Sequence, residues 1–170
     1  TTRVQRTSTN DPYNKTVTRV TDIEGNLVSA TDEANKTTSY AYDPFGNLTQ
    51  VTDSAAVANV TSMTYDLRGR KLSMDDPDMG HWEYKYDALG QLRWQKDAKA
   101  QIVAMSYDVL GRMTSRTEPE GTSTWTYDQA GSAGIGKLWK VAGPDNYSET
   151  YSYDALGRPS QTAQVTAGQT

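Results

Sequence analysis

The sequence has no cysteine, one histidine and one phenylalanine. No disulfide, thiolate ligand or thiol nucleophile is available. With His81 as the lone imidazole, a transition metal would rest almost wholly on carboxylates, a poor set for zinc. No metal and no cofactor is therefore expected, and His81 reads as a strand residue near a turn. Aliphatic side chains are also scarce. Leu, Ile, Val and Phe make 24 of 170 residues, too few for one large oily core. No apolar run approaches the ~20 residues of a membrane span, and nothing reads as a signal peptide. Lys and Arg are scattered and the formal net charge is -4, which leaves no basic face for nucleic acid.

Such a composition would suit a disordered chain, but the small net charge argues against it. So do 11 Tyr and 4 Trp. Together they point to a β-rich protein that packs aromatic rings in thin layers. The Tyr residues are ordered along the chain. Six Tyr-Asp pairs recur: Tyr42-Asp43, Tyr65-Asp66, Tyr86-Asp87, Tyr107-Asp108, Tyr127-Asp128 and Tyr153-Asp154. Asp22, followed by Ile23-Glu24-Gly25, keeps the phase without the Tyr. The Asp-to-Asp steps are 21, 23, 21, 21, 20 and 26 residues. A fixed period of this size marks an array of small supersecondary units.

Gly stands three residues after most of these Asp residues, as Gly25, Gly46, Gly69, Gly90, Gly111 and Gly157. Asp opening a turn accepts backbone hydrogen bonds, and Gly closing it takes positive φ at no steric cost. A type I turn closed by a left-handed Gly is a hairpin connection with a bulge. Ten residues on, a second acidic residue opens another turn-like tetrad: Asp32, Asp53, Asp76, Asp97 and Glu118. Turns about every ten residues leave strands of about six. Trp82, Tyr84 and Tyr86 alternate with polar residues, as do Val103, Met105 and Tyr107, and so do Tyr147, Tyr151 and Tyr153. Period two predicts strands with one packed face.

The predicted fold is all-β, a repetitive antiparallel β-hairpin meander. An apolar slot after the Gly holds Leu27, Leu48, Leu92 and Met113, while Lys71 and Pro159 replace it in two units. Pro159 predicts an edge or a bend. The insertion Gly131-Ser132-Ala133-Gly134-Ile135-Gly136 predicts a longer, mobile loop. Residues 1–19 read as a flank or partial repeat, 20–165 as the array of about seven units with the insertion near 131–136, and 166–170 as a C-terminal flank. A start at Thr1 and a stop partway through a repeat suit a piece of a longer protein.

Tyr65-Asp66-Leu67-Arg68-Gly69-Arg70, Tyr107-Asp108-Val109-Leu110-Gly111-Arg112 and Tyr153-Asp154-Ala155-Leu156-Gly157-Arg158 resemble the YD repeats of the Rhs family. The likeness runs from about Val20 to Pro159. It implies a β-sheet ribbon wound into a spiral, of which this chain would be a segment of a hollow shell. In bacterial polymorphic toxins and insecticidal toxin complexes such a shell encloses a C-terminal toxic domain. In teneurins a related shell sits on an adhesion receptor. The implied partners are the remainder of the parent shell and its enclosed domain, and the implied location is secreted or at a bacterial cell surface. Asp43-Pro44-Phe45-Gly46 superficially resembles the Asp-Pro motifs that end toxin-bearing cores. It sits inside the repeat phase with five more units after it, so it reads as a turn.

No residue is expected to be catalytic. The turn-opening Asp recurs at every repeat, whereas a catalytic pair is needed once. Asp75-Asp76-Pro77-Asp78 lacks the alternating spacing of a calcium loop and reads as a solvated turn. The Trp residues, Trp82, Trp94, Trp125 and Trp139, are the candidate ligand-binding residues, because an exposed indole can stack on a sugar. The other reading places them inside the wall. Function thus has two readings: a non-catalytic structural segment of a shell that encapsulates a C-terminal toxin or effector, or a carbohydrate- or cell-surface-binding β-repeat module. Open sheet edges also predict self-association.

Overall fold

In a computed structural model, residues 5–10, 16–54, 59–129 and 131–166 are described, the first of these by backbone alone. They are β-strand and turn apart from one 3-10 turn, Ser132–Gly134. The chain divides into two compact units, Thr1–Glu83 and Tyr84–Thr170. The flank expected at 166–170 lies outside the described residues except for Thr166.

The first unit holds β1 (Gln5–Asn10), β2 (Thr16–Thr21), β3 (Leu27–Thr31), β4 (Thr37–Tyr42), β5 (Leu48–Asp53), β6 (Val60–Tyr65), β7 (Lys71–Asp76) and the first part of β8 (Gly80–Tyr86). Each pairs antiparallel with the next in sequence. The second unit continues from the end of β8 with β9 (Leu92–Lys96), β10 (Ile102–Tyr107), β11 (Met113–Glu118), β12 (Gly121–Tyr127), β13 (Leu138–Ala142), β14 (Ser148–Tyr153) and β15 (Pro159–Val165). These too pair antiparallel in order. The hairpin meander is as the period-two pattern predicts. Strand lengths of five to seven residues follow from turns every ten.

Directly paired residues share a face of the sheet, so the register sorts the side chains. In the first unit Tyr40 pairs Val51, Val51 pairs Thr61, Met63 pairs Met74, and Met74 pairs Trp82. This is the packed face. The opposite face pairs Gln50 with Ser62, Ser62 with Asp75, and Asp75 with His81, all polar. The second unit repeats the division. Met105 pairs Arg116, Arg116 pairs Ser123, Trp125 pairs Val141, and Val141 pairs Glu149 on one face. Trp94, Ala104, Thr117 and Thr122 line the other.

Among the described residues, only Met63 and Met105 are buried hydrophobics. Each lies mid-strand on the packed face of its unit. Burial in a single-layer sheet comes from one side and is partial. Stability must therefore come from many half-buried rings, ladder hydrogen bonds and turns rather than from one core.

Candidate functional site

The recurring Tyr-Asp turn is the organising site of both units. At Asp22, Asp43, Asp66, Asp87, Asp108 and Asp154 the carboxylate Oδ1 accepts the backbone N–H groups two and four residues on, at 2.8–3.0 Å. The Gly at the third position donates its N–H to the Asp carbonyl, and the Asp N–H reaches the carbonyl four residues on. The register slips at the residue before Asp22, Asp43, Asp66, Asp108 and Asp154, for instance between Thr64 and Tyr65 and between Ser106 and Tyr107. This is the bulged hairpin that the Asp-x-x-Gly tetrads predict. Gly69 (φ +75°) and Gly111 (φ +81°) need their missing Cβ twice over. A Cβ there would be strained and would lie 3.0 Å from the side chains of Asn47 and Gln91, respectively.

The residue after the Gly completes the turn. Asn26, Asn47, Arg70, Arg112 and Arg158 each donate a side-chain N–H to Oδ2 of the Asp, at 2.6–3.1 Å. These donors hold the carboxyls below the ordinary 3.8. For Asp66 and Asp154 the leading cause is the backbone N–H of Arg70 and Arg158. For Asp43 it is the Asn47 amide.

The Tyr does something the sequence reading missed. Its hydroxyl donates to the backbone carbonyl of the apolar-slot residue in the preceding repeat. Tyr42 reaches Leu27 at 3.0 Å, Tyr65 reaches Leu48 at 2.8 Å and Tyr107 reaches Leu92 at 2.9 Å. Tyr127 reaches Met113 at 2.9 Å and Tyr153 reaches Leu138 at 2.7 Å. Each bond spans 14–17 residues and ties one hairpin to the one before it. The near-constant distance from slot to next Tyr was the signal that could have found it. Leu138, past the insertion, fills the same slot and was not recognised as doing so.

The longer loop expected at the insertion carries a 3-10 turn, Ser132–Gly134. Gly134 is buried in the 3-10 turn, and Gly136 donates its N–H to Asp128 at 2.6 Å. Asp128 also takes a fork from Arg112, at 3.2 and 2.7 Å, while Arg112 Nε holds Asp108 at 2.7 Å. The guanidinium lies 4.3 Å from the centre of the Tyr127 ring. One arginine therefore joins two successive turns and the loop. The Arg112 fork is the leading cause that keeps the Asp128 carboxyl below its ordinary value.

The opposite turns are less uniform than the recurring acidic residue predicts. Asp32 and Asp97 open four-residue turns closed by Asn35 (φ 58°) and Ala100 (φ 62°). Asp76 pairs Gly80 across three residues, and Glu118 pairs Gly121 across two. Asp53 donates its N–H to the Asn59 carbonyl across a longer loop, of which 55–58 lie outside the described residues. Pro159 opens β15, which pairs with β14 alone among the described strands, as an edge position requires.

The four Trp residues do not form one surface. Trp82 shares the packed face of the first unit with Met63 and Met74. In the second unit Trp125 and Trp139 lie on the Met105 side, and Trp94 lies on the other. Lys85 Nζ sits 4.5 Å from the centre of the Trp94 ring, over its face. In the Asp75–Asp78 turn, Asp76 already accepts the N–H groups of Asp78 and Met79 and the hydroxyl of Thr61. Asp75 pairs His81 Nδ1 at 2.7 Å. Among the described residues, no group of three or more His, Asp or Glu could hold a metal ion.

Fold and site together define a repeat protein, an array of Tyr-Asp hairpins. The model of the RHS Repeat matches residues 24–58, 86–123 and 107–131. Those stretches of the chain are Rhs/YD repeats. Comparison with curated protein sequences finds no match. Solved structures with the same fold include the TcdB2-TccC3-TEV crystal structure, at 22% identity and a TM-score of 0.74 over 89% of this chain. The TcdB2-TccC3-Cdc42 crystal structure gives 22% identity and 0.74 over 92%. The Photorhabdus luminescens Tc holotoxin pore gives 22% and 0.72 over 88%. This chain spans about 9% of the length of each of those chains.

Proposed function

We propose that this chain is a non-catalytic wall segment of a shell that encapsulates a C-terminal toxin or effector within a larger secreted bacterial protein. The observation that carries the reading is the hairpin-to-hairpin Tyr bond, repeated in both units. A latch recurring at Tyr42, Tyr65, Tyr107, Tyr127 and Tyr153 serves continuity of a sheet, not chemistry at one place. The turn carboxylates support the same view. Those of Asp43, Asp66, Asp108 and Asp154 each accept two or more N–H donors and are held below their ordinary value, which makes them poor general bases. Similarity in fold to the Tc toxin components supports placement in a toxin shell. The partners are then the remaining repeats and the enclosed domain.

The test begins with the sequence on both sides of this segment in its gene. Further Tyr-Asp repeats and an unrelated C-terminal domain are expected. In the purified full-length protein, that domain should resist protease until the shell is opened by denaturant. Digestion as fast as that of the free domain would refute encapsulation.

Recognition of a glycan is the second reading, and Trp94, on the open face, is the observation that favours it. Lys85 over the ring must move aside for a sugar to stack there. Titration with glycans should then shift Trp fluorescence in the parent and not in Trp94→Ala. An unchanged spectrum across a glycan panel refutes it.

A further inference from the structure

We propose that the row of Tyr-Asp turn tips is a self-association surface, and that its occupant is a second copy of this chain. The proposal stands independently of the wall reading. In an antiparallel meander, alternate turns fall on opposite edges. The Tyr-Asp turns of each unit therefore share one edge. In the first unit their tips carry Ile23, Phe45 and Leu67. In the second they carry Leu89, Val109, Leu110 and Leu156, with Ile135 in the inserted loop. All are 68–97% exposed. Tips of large apolar residues are not needed by the turn, whose hydrogen bonds are backbone and Asp. The opposite edge differs in kind. Among the described residues, its turns carry Glu33, Asp78, Lys99, Glu120 and Asp145, with Met79 as their exposed large apolar residue.

Three arguments select a second copy. The first is area. Burying one such side chain removes roughly 100 Å² of apolar surface. The five tips of the second unit thus offer roughly 500 Å² per partner, and a pair reaches about 1,000 Å², the lower bound for a specific interface. The second is pitch. Successive teeth lie two strands apart, about 9.5 Å. Only a row of the same pitch can interdigitate with them along its length. The third is charge. In the second unit, Asp108 and Asp128 share Arg112 and Asp154 pairs with Arg158; in the first, Asp66 pairs with Arg70. Two such edges can therefore meet without repulsion, whereas the opposite edge presents mostly acidic tips. Like edge on like edge is a two-fold contact, which closes as a dimer and does not propagate.

The test is sedimentation equilibrium of the 170-residue chain over a concentration series. A monomer–dimer equilibrium is expected, and the combined variant Leu89→Ser, Leu110→Ser, Leu156→Ser should weaken it by about tenfold or more at unchanged circular dichroism. Because the chain lacks cysteine, Leu110→Cys supplies a second readout that leaves the other teeth intact. Mild oxidation should trap it as a disulfide dimer, while Gln161→Cys on β15 should stay monomeric. A parent that is monomeric at every concentration overturns the proposal, including one that floats with lipid vesicles instead. So does association that survives the Ser variant, or that is abolished only by Gln161→Lys with Ala163→Lys on the edge strand.

Discussion

Removing one hydroxyl from the array tests whether the Tyr bond carries stability. Tyr65→Phe keeps the ring and deletes the donor to the Leu48 carbonyl at 2.8 Å. An intramolecular hydrogen bond of this kind contributes about 0.5–1.5 kcal/mol net. The Tyr65 ring is half-buried, so water can partly replace the lost donor and the cost should lie near the middle, ~1 kcal/mol. For a chain of this size that corresponds to a fall in Tm of about 2–4 °C. Tyr107→Phe, which loses the bond to Leu92, should behave alike in the second unit. The control is Tyr40→Phe. Tyr40 lies on the packed face but its hydroxyl has no hydrogen bond to another described residue. The assay is urea unfolding followed by circular dichroism, with both midpoint and slope recorded. The expected result is a lower midpoint for Tyr65→Phe and Tyr107→Phe and none for Tyr40→Phe. Equal losses in all three would refute the latch and assign the effect to ring polarity. No loss in any would show that the sheet ladder alone joins the hairpins.

Ala100 sits in the left-handed region (φ 62°), where the equivalent position of the Tyr-Asp turns has Gly. Ala100→Gly should therefore stabilise, by about 0.5–1 kcal/mol once the entropy of Gly is set against the relief of strain, and an unchanged or lower Tm would contradict it. Gly111→Ala should destabilise by about 1–2 kcal/mol from its positive φ alone, read by the same melt. Arg112→Lys loses the fork onto Asp128 while keeping the charge; Tm should drop by a few degrees, about 2–4 °C, and proteolysis within 131–136 should quicken. Finally, Asp43, Asp66, Asp108 and Asp154 have carboxyls held below 3.8 when folded. A depressed folded value gives stability that is present above the unfolded value and lost as pH falls through the folded one. The Tm should hold above the unfolded value of 3.8 and fall steadily below it, and a flat profile down to pH ~2 would refute the turn accounting.

Much of the fold was legible in the sequence because its determinants are local. Asp at one end of a tetrad and Gly at the other fix a turn through bonds within five residues. Alternation within Trp82 to Tyr86 fixes which side of a strand packs. A turn every ten residues, with no stretch long enough for a crossover, leaves only neighbour-to-neighbour antiparallel pairing. The irregular opposite turns were less legible. An acidic residue tolerates two-, three- and four-residue loops, and the register of Glu118 with Gly121 is decided by both strands together.

What the tertiary structure alone decided is the set of contacts between repeats. The Tyr hydroxyl acts on a backbone carbonyl, which has no side-chain signature, so the Leu48 and Leu92 acceptors could not be read from residue type. Arg112 has two acidic residues within reach of its own turn chemistry, and only the folded loop brings Asp128 into the fork. The division of the Trp residues between two faces required the registers of five successive strands, since one slipped residue would reverse it. Local turn chemistry wrote the hairpin, while its connection to the next hairpin depends on groups more than a dozen residues apart meeting at hydrogen-bond distance.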